Sequence, residues 1–340
     1  MSKRHRSPVL LPLSSLALLL VLLLAACGGS SGTTVTTGSA TPQAKTQNIS
    51  IGLGYIPDIQ FAPFYVAKSK GYYSAAGLNV TFNHGIVPDL VGSMVAGKNN
   101  FVFASGDEML VARDKNVKAI NVATIFQKYP VSLIVPANSP IKTLADLKGH
   151  TIGEPGPFGA THTGLLALLY KANLSLSDVK VQAIGFTQVA ALSAHRVDAV
   201  MGYANNEPLQ LQKRGVAVRT FLASDYQPLI SNGIVTTEDT YHNSPQMVRD
   251  FVQATLKGLR DVIADPTQAV ETSKSYIPGL TNTDQALEVL KATIPLWQGS
   301  GRLGYNDSAT WQSMEKFLVA QKMIAPVQDI SQAYTNQAIE

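Results

Sequence analysis

Strand-type and helix-type segments alternate through most of this 340-residue chain, and this alternation constrains the fold more than any other feature. Helical spacing of apolar side chains occurs in 61–70 and ends at Gly71. Runs of β-branched and small residues occur on either side of such segments, at 49–55, 78–82, 101–104 and 119–126. This rhythm predicts a mostly parallel α/β sheet, with further helices at 89–96, capped by Asp89, and at 108–113.

The same alternation begins again after residue 130. The pattern changes at 131–136, and strand patterns then lie at 151–153, 179–185 and 199–202. The pattern at 233–237 predicts a strand that returns the chain to the first sheet. We therefore expect an α/β fold with two lobes, formed by 48–130 with 233–340 and by 131–232. Because ligands of open α/β sheets bind beyond the carboxyl ends of strands, a ligand cleft is expected between the lobes.

The residue pattern of the C-terminal part of the chain predicts helices. Ser244 is placed to cap a helix that begins at Pro245, and its apolar residues share one face as far as Asp265. Three more helices are expected at 267–276, 284–297 and 308–323.

The N-terminal residues resemble a secretory leader. Lys3, Arg4 and Arg6 precede an apolar stretch at 9–24, which is too short for a stable membrane span. Leu24-Ala25-Ala26-Cys27 resembles a bacterial lipobox, which implies cleavage after residue 26 and a diacylglycerol on Cys27. The alternative is an ordinary signal peptide, 1–26, followed by a chance cysteine.

The segment 27–47 is rich in Gly, Ser and Thr, so it predicts a flexible tether. Leader, lipid and tether together predict an extracytoplasmic protein anchored to the cell membrane.

Composition excludes several classes of function. Cys27 is the only cysteine, so the mature chain can form no internal disulfide, cysteine metal cluster or thiol nucleophile. Of the 27 Lys and Arg side chains, three lie in the leader, which leaves 24 basic against 23 acidic side chains. This balance gives no basic face for nucleic acid. The histidines are scattered without metal-ligand spacing, so no metal is expected. We also expect no cofactor, and we expect a monomer.

Polar and aromatic residues follow several predicted strands and form the candidate ligand site. Aromatic rings suit stacking on a flat heterocycle, and amides suit recognition of its edge. The candidates are Tyr55, Gln60, Phe61, Ser105, Asp107, Gln127, Phe158, Gln188, Tyr203, Asn205, Asn206 and Glu207.

Some of these residues also allow a structural interpretation. Phe61 would equally pack under its helix, and Asp107 would equally cap a helix that begins at Glu108. Phe158 lies in a glycine-spaced loop before a helix, where free N–H groups could bind an oxygen-rich tail or the glycines could serve only a tight turn. Asn205 and Asn206 could simply form the turn before Pro208.

Several stretches resemble the NMT1/THI5-like and SsuA-like periplasmic binding proteins. They are 52–78, LVGSMVAG at 90–97, FVFASGDEMLVAR at 101–113, IKTLADLKGHTIG at 141–153 and RVDA at 196–199. The resemblance implies a type II periplasmic-binding fold and a receptor that delivers a small molecule to the permease and ATPase subunits of an ABC importer. IGFTQVAAL at 184–192, YANNEP at 203–208 and NGIVTTE at 232–238 are most similar to riboflavin-binding members of the group.

A flavin is therefore the first expectation for the ligand, and a thiamine pyrimidine precursor is the second. Sulfonate or nitrate is less favoured, because acidic candidates outnumber basic ones. The resembled group also contains a thiamine pyrimidine synthase, which depends on a cysteine-rich iron motif, a cofactor lysine and its own histidine. Here no cysteine follows Cys27, and Phe61 stands where that enzyme keeps a histidine. We therefore expect no enzyme, although a sensor that serves no transporter stays an alternative.

Overall fold

The computed structural model describes residues 46–299 and 301–340. The predicted leader (1–26), Cys27 and the predicted tether up to residue 45 lie outside the described residues.

The strands belong to two five-stranded sheets. In chain order they are β1 (Gln47–Leu53), β2 (Leu78–His84), β3 (Phe101–Ala104), β4 (Ala119–Thr124), β5 (Val131–Pro136), β6 (Thr151–Glu154), β7 (Lys180–Ala183), β8 (Ala199–Tyr203), β9 (Val218–Leu222) and β10 (Gly233–Thr237). We call the part that carries β1–β4 and β10 the first-sheet half, and the part that carries β5–β9 the second-sheet half. The exact ranges predicted for the two lobes stay a prediction.

The first sheet has the strand order β2-β1-β3-β10-β4. β1 pairs in parallel with β2 and β3, whereas β10 is antiparallel to β3 and β4. The predicted return of 233–237 to the first sheet is therefore confirmed, and the returning strand lies inside the sheet.

The second sheet has the order β7-β6-β8-β5-β9. β6 is parallel to β7 and β8, and β5 is antiparallel to β8 and β9. Sequence reasoning did not assign β5 or β9. β5 is a short, largely buried apolar run whose periodicity alone does not define a strand, and β9 is an edge strand that buries only Phe221.

The α-helices, in chain order, are α1 (Ala62–Ser69), α2 (Tyr72–Ala75), α3 (Val87–Val95), α4 (Gly106–Asp114), α5 (Gly159–Lys171), α6 (Gln188–Ser193), α7 (Glu207–Lys213), α8 (Glu238–Asn243), α9 (Pro245–Ala264), α10 (Pro266–Ser273), α11 (Thr283–Gln298) and α12 (Ser308–Ala320). Short 3₁₀ turns lie at Ile59–Phe61, Leu144–Leu147, Leu176–Asp178, Ala223–Asp225, Lys274–Tyr276 and Ile330–Ala333. The four predicted C-terminal helices are confirmed. The expectation that Asp89 caps α3 is wrong, because the cap position is Ile86 and Asp89 lies in the first turn.

Two large apolar clusters form the core. α9 buries Phe251, Val252 and Leu259 against α1 and the first sheet. The second cluster joins residues of α4 with residues of α5, so these two helices pack on each other across the two halves. Within the described ranges, no helix combines the length and the hydropathy that crossing a membrane requires.

Candidate functional site

A cavity that opens to solvent lies where the carboxyl ends of strands from both sheets meet. The first-sheet half lines it with Gly54, Tyr55, Gln60, Phe61, Ile86, Val87, Phe103 and Glu108. The second-sheet half lines it with Pro155, Phe158, Gly159, Ala160, Thr161, Phe186, Gln188, Tyr203, Asn206 and Glu207, and Asn232 completes the wall just before β10.

Two aromatic rings from opposite halves meet at this cavity. Tyr55 follows β1 and Phe186 follows β7, and their ring centroids lie 4.8 Å apart with the planes at 84°. Phe186 is 41% exposed, which is unusual for a ring of its size. The His84 ring holds the Tyr55 backbone, because its Nδ1 lies 3.0 Å from the Tyr55 carbonyl oxygen. An aromatic pair in this position can accept a flat ring between or beside its faces.

Four side-chain amides line the cavity with unused hydrogen-bonding capacity. Gln60 is 9% exposed and Gln188 is 4% exposed, and neither amide pairs with another side chain or backbone group among the described residues. Asn206 Oδ1 accepts a hydrogen bond from Gln210 Nε2 at 2.8 Å, and Asn232 Oδ1 accepts one from the Tyr203 hydroxyl at 3.2 Å. Their Nδ2 groups have no partner within the described ranges. These amide groups are open to the cavity, so they are available to donate to and accept from a polar ligand.

Carboxyl groups give the cavity an acidic character. Glu207 opens α7, and its Oε2 accepts a hydrogen bond from the Tyr203 backbone N–H at 2.7 Å. Burial raises the pKa of Glu207 to about 7. Asp58 caps the turn that carries Gln60, where its Oδ1 accepts from the Gln60 N–H at 3.0 Å, and burial raises the pKa of Asp58 to about 6.

Glu108 lines the cavity and also belongs to the capping box at the start of α4. Its Oε2 accepts hydrogen bonds from the backbone N–H and the hydroxyl of Ser105, both at 2.9 Å. Ser105 is therefore the N-cap of α4, and the expectation that Asp107 caps this helix is wrong. Burial raises the pKa of Glu108 to about 8. Glu108 Oε1 has no hydrogen-bond partner among the described residues and lies close to Gly159.

The start of α5 forms another part of the wall. Phe158 is the N-cap residue of α5, and its side chain makes no capping hydrogen bond. Gly159, with a φ of 73°, is the first residue of the helix. The Phe158 ring lies against Gly156, where a side chain would collide with it. The first N–H groups of a helix have no partner within the helix, so they are available to ligand oxygens.

The structure brings together eight of the twelve predicted site residues: Tyr55, Gln60, Phe61, Phe158, Gln188, Tyr203, Asn206 and Glu207. Phe61 fulfils both of its interpretations, since it is 2% exposed in the core and its ring also meets the cavity.

The other four predicted residues do not line this cavity. Ser105 caps α4, and Asp107 is buried between α4 and α5, where it bonds to Tyr129 and Thr163. Gln127 donates to the carbonyl oxygens of Thr124 and Tyr305. Asn205 donates through Nδ2 to Thr293 Oγ1 of α11 at 2.7 Å. All four residues follow a strand, but their side chains already hydrogen-bond to other protein groups and none of them lines the cavity.

Sequence reasoning left Glu108, Phe186 and Asn232 out of its candidate residues. Phe186 stands two residues before Gln188 at the same strand end, so the same argument applied to it. Asn232 precedes β10, and the return of that strand to the first sheet was the available signal. For Glu108, the only indication in the sequence was its capping-box spacing from Ser105, which predicts a helix start and not a ligand contact. In the described part of the chain, no group of three or more His, Cys, Asp or Glu side chains is arranged to hold a metal ion.

Comparison with known proteins gives a consistent result. The profile of the family described as NMT1/THI5 like matches residues 58–269. The chain is 38% identical over 314 residues to the riboflavin-binding protein RibY of Chloroflexus aurantiacus, covering 89% of this chain and 90% of that protein. It is 24% identical to a formylaminopyrimidine-binding protein of Halalkalibacterium halodurans, with coverage of 84% and 88%.

Among solved structures, the chain is similar to the periplasmic aliphatic sulphonate binding protein SsuA of Escherichia coli. The TM-score is 0.70 at 15% identity, over 84% of this chain and 97% of the other. At this identity the similarity concerns the fold, which is that of a periplasmic binding protein.

Proposed function

The chain belongs to the NMT1/THI5-like family, and from that premise we propose that it is the extracytoplasmic solute-binding protein of an ABC importer that captures a flavin such as riboflavin. The observation that carries this proposal is the cavity in which unpaired amides from both halves stand beside an aromatic pair. The 38% identity to a riboflavin-binding protein over nearly the whole length supports the same ligand class.

The amides match the polar edge of a flavin. One edge of the isoalloxazine ring alternates carbonyl oxygens with an N–H group, so it needs both donors and acceptors from the protein. Gln60 and Gln188 each supply both, and the free Nδ2 groups of Asn206 and Asn232 supply donors. The flat ring would lie against Tyr55 or Phe186. Glu108 and the start of α5 would serve the hydroxyl groups of a sugar-alcohol tail.

The lack of cationic side chains among the described lining residues argues against an anionic solute. The cavity wall contains Glu108 and Glu207 but neither Lys nor Arg among the described lining residues. A sulfonate or nitrate ion needs cationic partners or many convergent donors when it is buried. The similarity to SsuA therefore extends to the fold and not to the cargo.

A thiamine pyrimidine precursor is the second candidate. An amino-bearing pyrimidine would donate to Glu207, and a relative at 24% identity is a formylaminopyrimidine-binding protein. A pyrimidine synthase is disfavoured by the residues of this chain, because Cys27 is its only cysteine and Phe61 occupies the place of the expected histidine.

The test uses residues 48–340, purified without lipid. We would look for flavin absorption and then titrate riboflavin, hydroxymethylpyrimidine and an alkanesulfonate in parallel, following tryptophan and flavin fluorescence. Saturable binding of riboflavin alone is the expected result. Binding of the pyrimidine alone would move the protein to thiamine precursor uptake, and binding of the sulfonate would contradict the charge argument.

We further propose that Cys27 carries the lipid that keeps the protein at the outer face of the membrane, with permease and ATPase subunits as partners and a monomeric receptor. In cells, the wild-type chain is expected in the membrane fraction and a Cys27→Ala chain in the soluble extracytoplasmic fraction. Retention of Cys27→Ala in the membrane fraction would reject lipid anchoring through this residue. Size-exclusion chromatography with light scattering tests the monomer.

A further inference from the structure

A buried carboxyl connects the two halves beside the cavity. Asp107, in the first turn of α4, is 1% exposed. Its Oδ2 accepts a hydrogen bond from Thr163 Oγ1 of α5 at 2.6 Å, and its Oδ1 lies 3.0 Å from the Tyr129 hydroxyl oxygen. α4 belongs to the first-sheet half and α5 to the second, and Tyr129 lies on the chain that crosses between them. The carboxyl therefore touches both halves and the crossover.

The hydrogen bonds of the Tyr129 hydroxyl indicate whether the Asp107 carboxyl carries a proton. The Tyr129 hydroxyl oxygen also lies 2.9 Å from the Ala160 carbonyl oxygen. A phenol has one proton to donate, and a carbonyl oxygen can only accept. When the hydroxyl donates to Ala160, its contact with Asp107 is a hydrogen bond only if the carboxyl carries a proton. In that arrangement, a protonated Asp107 donates to the Tyr129 hydroxyl through Oδ1 and accepts from Thr163 through Oδ2.

Among the described residues, no cation pairs with Asp107 to favour its charged form. The titratable groups that face it are Glu108 on its own helix, Tyr129 on the crossover, Tyr203 at the end of β8 and, next to Thr163, His162. His162 Nδ1 lies 3.1 Å from Glu154 and is engaged there.

Two further helices, α3 and α12, also pack on α4. None of their charged side chains in the described ranges hydrogen-bonds to Asp107 or pairs with it. Burial raises the pKa of Asp107 above its ordinary value, since an unpaired buried carboxylate is costly.

We propose that Asp107 is a positioning residue that carries a proton at neutral pH and, as a neutral acid, holds α4 against α5. The adjacent Glu108 and the Gly159–Thr161 segment are cavity walls on these two helices, so their separation depends on this cluster. Its effect on ligand affinity rests on the proposed function, whereas its proton state does not.

The proton state is tested without ligand on residues 48–340. Asp107→Asn imitates the neutral acid, because its oxygen accepts from Thr163 and its N–H donates to Tyr129. Urea unfolding of the wild type and Asp107→Asn is compared between pH 5 and pH 8, with the exposed Asp89→Asn as control. An unfolded Asp loses its proton near pH 4, whereas the folded one keeps it. The unfolding constant of the wild type, relative to Asp107→Asn, should therefore rise by about tenfold per pH unit up to the folded pKa. A ratio that is constant across this range would overturn the proposal.

The positioning role is tested with riboflavin at pH 6. Asp107→Asn should bind within about threefold of wild type, Thr163→Val more weakly, and Asp107→Ala about tenfold more weakly, because the alanine leaves Thr163 and Tyr129 unpaired. Equal losses in Asp107→Asn and Asp107→Ala would refute positioning by a neutral acid. Should the wild type not bind riboflavin, the proposed ligand fails, while the pH comparison still decides the proton state. Thr163→Val also covers the case in which Asp107→Ala does not fold.

Discussion

The ring of Tyr55 in the first-sheet half meets the ring of Phe186 in the second, edge to face, with centroids 4.8 Å apart. This contact joins the loops after β1 and β7 at the wall of the cavity, where we propose that a flat ligand binds. Because Phe186 has little other burial to lose, its role can be measured with small risk to the fold.

Phe186→Ala is expected to weaken riboflavin binding by about three- to tenfold, the size of one aromatic contact of about 0.5–1.5 kcal/mol, while the melting temperature stays near wild type. Fluorescence titration measures the affinity. Tyr170→Ala is the control, because Tyr170 is also exposed but packs on Phe317 away from the cavity. An equal loss in both variants would show that the effect is not local.

Gln188→Met is expected to weaken riboflavin binding by about 10- to 100-fold, since a ligand group loses its partner at a cost of about 1–3 kcal/mol. The side chains are of similar size, and Gln188 makes no other side-chain hydrogen bond in the described residues, so stability should change little. Isothermal titration calorimetry gives the affinity. Gln246→Met on the exposed side of α9 is the matched control, and unchanged binding in Gln188→Met would remove this amide from the site.

Glu207 should make stability depend on pH. Its pKa is raised from 4.5 to about 7, so the folded protein keeps this proton to a higher pH than the unfolded chain. The associated stability is present at acid pH and is lost as the pH rises from about 4.5 through about 7, by roughly 3 kcal/mol in total. Urea unfolding should show this decline in the wild type relative to Glu207→Gln.

The control for this pH dependence is Glu288→Gln, since Glu288 is an exposed residue paired with Lys213. Its stability should run parallel to wild type above pH 5. The Glu207 assignment fails if Glu207→Gln also runs parallel to wild type across that range.

Two glycine substitutions should change stability in opposite directions. Gly258 of α9 faces α1, where a new Cβ would lie 2.8 Å from the Cβ of Ala67 and overlap the Pro63 backbone, so Gly258→Ala should destabilise by about 1–3 kcal/mol. Gly92 of α3 has nothing within 4 Å of such a Cβ, so Gly92→Ala should stabilise by about 0.5–1 kcal/mol. Thermal unfolding measures both. The same sign in both variants would contradict the close approach of α9 to α1.

Local patterns along the chain were enough to predict eight of the ten described strands and the main C-terminal helices. Strand and helix periodicities are written in consecutive residues, and so is the Thr143–Asp146 capping box that starts the turn at Leu144–Leu147. The edge strand β9 was not predicted, because its side chains are only partly buried. The rule that ligands bind beyond strand ends was also sufficient to select eight residues that line the cavity.

What the sequence determined by itself was the order and type of most elements and the kinds of side chain at the strand ends. Only the tertiary structure decided which of those side chains remained free for a ligand. Asp107 and Glu108 are neighbours in the chain, yet Thr163 and Tyr129 engage the first while the second enters the cavity wall. The partners that separate them are 56 and 22 residues from Asp107, and such long-range contacts leave no signal in the local pattern.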